Sequence, residues 1–371
     1  MTPKERLLAV LHGETPDVVP WFADLSHWFN AERKRRFIPS QDKEPDYEMI
    51  GLYKEAGAGI YIELAGILET VYEGDVEETQ RIEGDRFYWT LTTPVGEIKE
   101  IRIYNSLSFS WDIIRRMVQS IDDVKVVRYA MERRNFIPRF DVYHKLVEAC
   151  GDYGLPYACG VPYSGLGFFI SRFMGIEQTI YALYDFPEEM HEIIGLINSV
   201  NLKAIKCLCT SPAEVILISD NLSSDVQSPA LFNRYSADYY TKAAEMIHNS
   251  GKFFAVHLDG RVRGLLRCLT ECGVDIADAL TPKPTGDMTP HEIRAEGGNE
   301  IILSGGVSPV FWSPDTSERD FTAHVREWLD LRKISPRLIM SDGDQTPPGT
   351  SLRRIKLMRE IVGEFGRYDR L

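Results

Sequence analysis

The sequence predicts an α/β protein of the (β/α)8 TIM-barrel class, with a helical extension at its N-terminus and a β-hairpin inserted early in the chain. Three observations carry that expectation. Short apolar runs rich in β-branched residues alternate with longer amphipathic stretches, the pattern of a parallel sheet covered by helices. Seven such runs are legible, and seven or eight units in one chain favour a closed barrel over an open sheet. An open doubly wound sheet, the runner-up, would call for a G-x-G-x-x-G loop after an early strand, and none is present.

The first element is a helix. "MTPKERLLAVLHGETP" places Thr2 as N-cap with Glu5 three residues later, a capping box. It has neither the long apolar segment nor the cleavage site of a secretion signal. Strands are expected at 59–64 (GIYIEL), 157–162 (YACGVP), 214–219 (EVILIS), 253–258 (FFAVHL), 275–280 (DIADAL), 300–305 (EIILSG) and 337–342 (RLIMSD). After the first of these, residues 79–105 alternate polar and apolar, with turns at Gly84-Asp85 and Pro94-Val95-Gly96. That segment reads as an antiparallel hairpin lying over one end of the barrel. Among the helices, one opens on Ser228-Pro229 as N-cap and first-turn proline and closes at Gly251. Another ends at Gly273, and a long one carries Pro187 near its start. No internal repeat appears, so residues 1–371 read as one domain.

Bulk composition narrows the function. The 371 residues are 44% hydrophobic and 26% charged, enough for a large core. No apolar run approaches the roughly 18 residues of a membrane span, and a cytoplasmic location is expected. The formal charge of −13 argues against a nucleic-acid binder, which would want a basic face. Of the six cysteines, Cys207 and Cys209 form a C-x-C, while Cys268 and Cys272 are four apart. A zinc site would want a second paired set and turn glycines, so the thiols are expected to be reduced and structural.

In a parallel barrel the chemistry sits where the strands end. The expected ends are Asp220 with Asn221; His257, Leu258 and Asp259; Asp278; Gly305-Gly306; and Asp342, with Asp344 two further on. Glu63 lies on the first strand, and Tyr163 follows the second. Carboxylates avoid apolar strands unless paired, liganded or at a rim, although any one of these could merely cap the next helix. His257 and Asp259 share strand parity and so point the same way. Three readings follow: a metal site completed by Asp342, acid–base work by an imidazole and a carboxylate, or a buried, hydrogen-bonded histidine.

Four ordered segments carry a family resemblance over nearly the whole chain: "MTPKERLLAVLHGETPDVVPW", "SDNLSSDVQSPALFNRYSADYYTKAAEMIHNSGKFFAVHLDG", "ILSGGVSP" and "PPGTSLRRIKLMREIV". They resemble the uroporphyrinogen decarboxylase superfamily, which implies a (β/α)8 barrel with its pocket at the carboxyl ends of the strands. The true decarboxylases have an Arg-Gln-Ala-Gly-Arg motif where this chain reads "WFADLSHWFNAERKRRF", with Arg33, Arg35 and Arg36 nearby. Their early Phe-Ser-Asp is replaced by "YIELAG" with Glu63, and their Gly-His-Gly by Ser341-Asp342-Gly343. The corrinoid-linked methyltransferases hold zinc through His-x-Cys and a further Cys on the last strand. This chain is similar in keeping His257, but has Asp259 and Asp342 at the cysteine positions.

The resemblance therefore implies zinc or another divalent metal on His257, Asp259 and Asp342, in an oxygen-rich site suited to an ether, hydroxyl or amine substrate. Methyl transfer between such a donor and a corrinoid on a partner protein is the leading expectation. Asp220 and Tyr163 would then position substrate or handle a proton. Glu63, Asp278, Gly305 and Gly306 would line the substrate site, with Asp278 orienting the imidazole. One alternative is decarboxylation of uroporphyrinogen in porphyrin biosynthesis, with Asp220 or Glu63 on the pyrrole N–H groups and Arg33 to Arg36 on the carboxylates. The other is a non-catalytic barrel that binds a small molecule. Neither a nucleic acid nor a membrane is expected as a partner, and a homodimer is a candidate assembly.

Overall fold

In a computed structural model, which describes residues 1–36 and 45–370, the chain opens on the expected helix, Pro3–Leu11. Thr2 accepts a hydrogen bond from the Glu5 amide at 3.2 Å, and the Glu5 carboxylate accepts one from the Thr2 amide at 2.7 Å. The helix turns Leu7, Val10 and Leu11 into the interior of the barrel, against the first inward residues of several strands, among them Val215, Ile276 and Ile302. It thus plugs the amino-terminal end, and each such fully buried side chain contributes roughly 1.5–3 kcal/mol.

The barrel begins one strand earlier than the sequence predicts. β1 (Phe22–Ala23) is only two residues long, too short for any periodicity to register. It pairs in parallel with β2 (Gly59–Ile60), which continues into β3 (Glu63–Leu64). The chain then leaves the barrel for an antiparallel excursion. β4 (Leu68–Tyr72) pairs with a later return strand, and between them β5 (Glu77–Glu83), β6 (Arg86–Thr93), β7 (Gly96–Asn105) and β8 (Ser110–Arg115) form a four-stranded meander. The expected hairpin is present, with its turns where predicted, but it spans β5 to β7 of a sheet that β8 completes. β8 escaped notice because its turn contains no Gly or Pro. Asn105 builds that turn instead, its side chain accepting from the Leu107 amide at 3.0 Å, and Phe109 takes the left-handed conformation at φ +55°.

β9 (Arg134–Pro138) closes the excursion against β4. The remaining staves follow in order: β10 (Tyr157–Val161), β11 (Val215–Leu222), β12 (Phe253–Leu258), β13 (Ile276–Leu280), β14 (Ile302–Gly305) and β15 (Leu338–Met340). Each pairs in parallel with the next, and β3 pairs with β10. A parallel bridge between Trp21 and Met340 joins the last strand to the first, with the Met340 amide donating to the Pro20 carbonyl at 2.9 Å. The sheet is therefore a closed ring of eight staves. Alternate strand residues split into an inner layer and an outer layer, the outer one packed on the helices. The helix expected from Ser228 to Gly251 breaks at Ser236 into Pro229–Tyr235 and Ala237–Asn249. All six cysteines are free thiols. Among the described residues no helix is long and apolar enough to cross a membrane.

Candidate active site

Strand parity decides which side chains reach the mouth. Inward positions on β12 are Phe253, Ala255 and His257, so the imidazole sits at the top of the inner layer, mostly buried. Asp278 occupies the matching position on β13, where the register pairs it with His257. Glu63, at the start of β3, approaches from the opposite wall.

These residues meet. His257 Nδ1 lies 3.2 Å from Asp278 Oδ2 and 3.4 Å from Glu63 Oε1. The Tyr61 hydroxyl, on the same face two residues before Glu63, lies 2.6 Å from the same Asp278 oxygen and 2.8 Å from the same Glu63 oxygen. The Tyr61 hydroxyl, with one proton to give, thus lies between two carboxylate oxygens that both also face Nδ1. The other nitrogen, Nε2, is 3.4 Å from Asp344 Oδ1. Glu63 also accepts from the Ser219 hydroxyl, which sits 3.1 Å from Cys159 Sγ.

Burial by itself would lower the His257 pKa. Hydrogen bonds to Asp278 and Asp344 and the charge of Glu63 override it, holding the imidazole protonated well above its usual range. Burial, reinforced by Asp278 and Glu63, pushes the Tyr61 phenol up, so it stays a donor. Among the described residues no lysine or arginine forms an ion pair with Glu63, Asp278, Asp344 or Asp259. Among the described residues His257 is the one cation paired with them.

The structure groups a different set of metal-competent atoms from the one expected on His257, Asp259 and Asp342. Glu63, His257 and Asp278 bring metal-competent atoms within 4.8 Å of one another, whereas Asp259 and Asp342 do not join them. β12 ends at Leu258, so Asp259 starts the loop and lies exposed at the rim, its pKa raised by partial desolvation and by Asp344. Asp342 points to the outside of the barrel wall and is 0% exposed. Its Oδ2 accepts from the Asp24 amide at 3.1 Å and from the Thr346 hydroxyl, tying the last strand to the first. Its Oδ1 has no partner among the described residues, and burial raises its pKa well above the carboxylate range. Gly343, at φ +92°, then turns the chain so that Asp344 is the acid that faces the histidine. A side chain there would run into the Val307 carbonyl.

The other expected site residues are placed elsewhere. Asp220 has outward parity and is 1% exposed, accepting from the Ser164 amide at 3.1 Å and the Tyr240 hydroxyl at 2.7 Å. Burial raises its pKa to about 6. Tyr163 packs edge-on against Phe168 at 5.4 Å, beside the Arg102–Glu100–Arg172 cluster under the antiparallel sheet. Gly305 and Gly306 are required by packing, since a Cβ would meet the Leu280 carbonyl at 2.1 Å or the Trp328 ring at 2.6 Å. Arg33 pairs with Glu48 at 2.6 Å, Arg35 with Asp46 at 2.5 Å, and Arg36 donates to the Gly84 carbonyl at 2.7 Å. None of the three faces the mouth acids in an ion pair.

Sequence reasoning passed over Tyr61 and did not assign Asp344 to the site. Tyr61 was within reach, because it shares parity with Glu63 in "GIYIEL". His27 also borders the mouth. It senses the charge of Asp344 and bonds to the backbone of Ser108, so the β7–β8 turn reaches over this rim.

Residues 116–365 match the family model described as Uroporphyrinogen decarboxylase (URO-D). Among solved structures the chain is similar to a methyltransferase from Methanosarcina mazei. The two are 15% identical with a TM-score of 0.65, over 98% of this chain and 99% of that one, which is a likeness of fold. No curated protein sequence matches significantly.

Proposed function

The chain belongs to the uroporphyrinogen decarboxylase family, and on that premise we propose that it is a metal-dependent methyltransferase, moving a methyl group between a small-molecule donor and a corrinoid held by a partner protein. One observation carries the reading: Glu63, His257 and Asp278 converge from three strands, and among the described residues the imidazole is the one cation paired with them. A nitrogen and two carboxylate oxygens are a donor set that fits zinc or another divalent ion with a position left open for substrate. The contact of Nε2 with Asp344 is the outer-shell carboxylate that ligating histidines commonly have. The methyltransferase named above supports the choice of reaction.

His257 Nδ1, Glu63 and Asp278 would hold the metal, which would act as a Lewis acid on the heteroatom that carries the methyl group. Asp344 fixes the ring orientation through Nε2. Tyr61, kept protonated by its surroundings, sets the two carboxylates at a fixed separation and has a proton to lend at its hydroxyl. Ser219 restrains the far oxygen of Glu63. Decarboxylation of a tetrapyrrole is less well supported, because a substrate rich in carboxylates would want basic residues at the mouth. The candidates for that role, Arg33 and Arg35, are spent on surface acids.

Metal analysis of protein purified without added metal tests the reading. About one equivalent of divalent metal is expected in the wild type and little in His257→Ala or Glu63→Gln. A wild type without stoichiometric metal would sink it.

A further inference from the structure

A cavity of about 800 Å3 lies beside the barrel rim, between the carboxyl end of β10, the β4–β9 pair and the antiparallel meander. We propose that it binds a small organic carboxylate with an apolar body, anchored on Arg134.

The charges lining the cavity leave one guanidinium over. Arg139 is held by Glu69 at 3.1 Å and Asp141 at 3.5 Å, and Glu78 bonds to the Tyr72 phenol. Arg134 has no carboxylate within ion-pair range among the described residues. Its polar partners there are the Thr70 hydroxyl, 3.2 Å from Nη2, and the Met131 sulfur, 4.0 Å from Nη1, while its buried Nε has none. Register explains the placement: Arg134 on β9 stands directly opposite Tyr72 on β4, and both line the cavity.

A guanidinium cannot shed its proton, and partly burying one with only neutral partners, the Thr70 hydroxyl and the Phe136 ring 5.1 Å from Cζ, is costly. Its planar fork matches a carboxylate, which takes two parallel N–H bonds. Val71, Val76 and the Trp89 ring make the neighbouring wall apolar, so the complementary ligand carries an organic body. Glu69 and Glu78 on the same wall disfavour a doubly charged anion such as phosphate. The cavity also touches Cys159, whose thiol contacts Ser219 and through it Glu63, so a ligand here would sit at the edge of the candidate active site. The proposal concerns binding, and it stands or falls without the metal or the methyl transfer.

Calorimetric titration of the full chain with sodium benzoate, and separately with inorganic phosphate at matched ionic strength, tests it. Benzoate is expected to bind saturably at one site, with phosphate at least tenfold weaker. Losing a charge-assisted hydrogen bond is worth about one decade of affinity, so Arg134→Gln should weaken benzoate on the order of tenfold. Val76→Asp, which puts a negative charge on the apolar wall and leaves the guanidinium alone, should abolish binding and serves if Arg134→Gln does not fold. No benzoate binding at millimolar concentration, unchanged affinity in folded Arg134→Gln or in Val76→Asp, or phosphate binding as tightly as benzoate would each overturn the proposal.

Discussion

The His257 imidazole lies among three carboxylates, those of Asp278, Glu63 and Asp344. Its strand is legible in "FFAVHL", and the structure places it there, on β12. Its partners are a different matter. The sequence offers Asp259 and Asp342, at the spacing of the family's cysteines, whereas the imidazole faces Asp278, Glu63 and Asp344. The carboxylates raise the imidazole pKa, so a proton competes with any metal for Nδ1, and the competition grows as pH falls. Zinc added to metal-free protein should therefore bind more tightly at pH 8 than at pH 6 and release about one proton at the lower pH. Calorimetry in two buffers of different ionisation enthalpy would measure both.

Among the elements, the ones that were legible are long or carry a capping signal. The helix Pro3–Leu11 announces itself through Thr2 and Glu5, and the helix Pro229–Tyr235 through Ser228-Pro229. β1 and β8 were missed for opposite reasons: the first is two residues long, and the second turns on an Asn and a strained Phe rather than a Gly. The pair Gly305-Gly306 was legible as a site of close approach, but the approaching group is the Leu280 carbonyl and the Trp328 ring. Gly306 has φ +123° and no room for a Cβ, so Gly306→Ala should cost about 1–3 kcal/mol, the usual range for overpacking. A shifted urea midpoint with an unchanged slope would show it, while metal content should persist in the folded fraction.

For the whole molecule, the buried acids make stability depend on pH in an unusual direction. Asp24 and Asp220 have folded pKa values of about 6, against 3.8 in the open chain, because burial disfavours their charged forms. The folded state binds these protons more tightly. Their contribution is present below about pH 4 and is lost as pH rises through 6. For Asp220, fully enclosed, the difference is on the order of 3 kcal/mol. Below about pH 4 the opposite group takes over, since Asp17 and Glu292 have depressed pKa values and lose stabilising bonds when protonated. Melting temperature should therefore climb between pH 8 and 5, then fall on further acidification. Asp220→Asn, already neutral, should flatten the upper part of that curve in thermal melts followed by circular dichroism. A wild-type melting temperature that falls steadily from pH 8 to 5 would contradict this.

The sequence by itself determined the barrel class, seven of its staves in order, the N-terminal helix, the meander's first two turns and the strand that carries the histidine. Each depends on neighbours a few residues apart, where helical and strand periods, caps and turn residues act. Only the tertiary structure decided which acids face that histidine. Closing eight staves into a ring sets Glu63 across from Asp278, and Gly343 swings Asp344 inward while Asp342 stays behind to bind Asp24. A one-residue change of phase on a strand exchanges mouth for wall, and nothing within the strand itself fixes that phase.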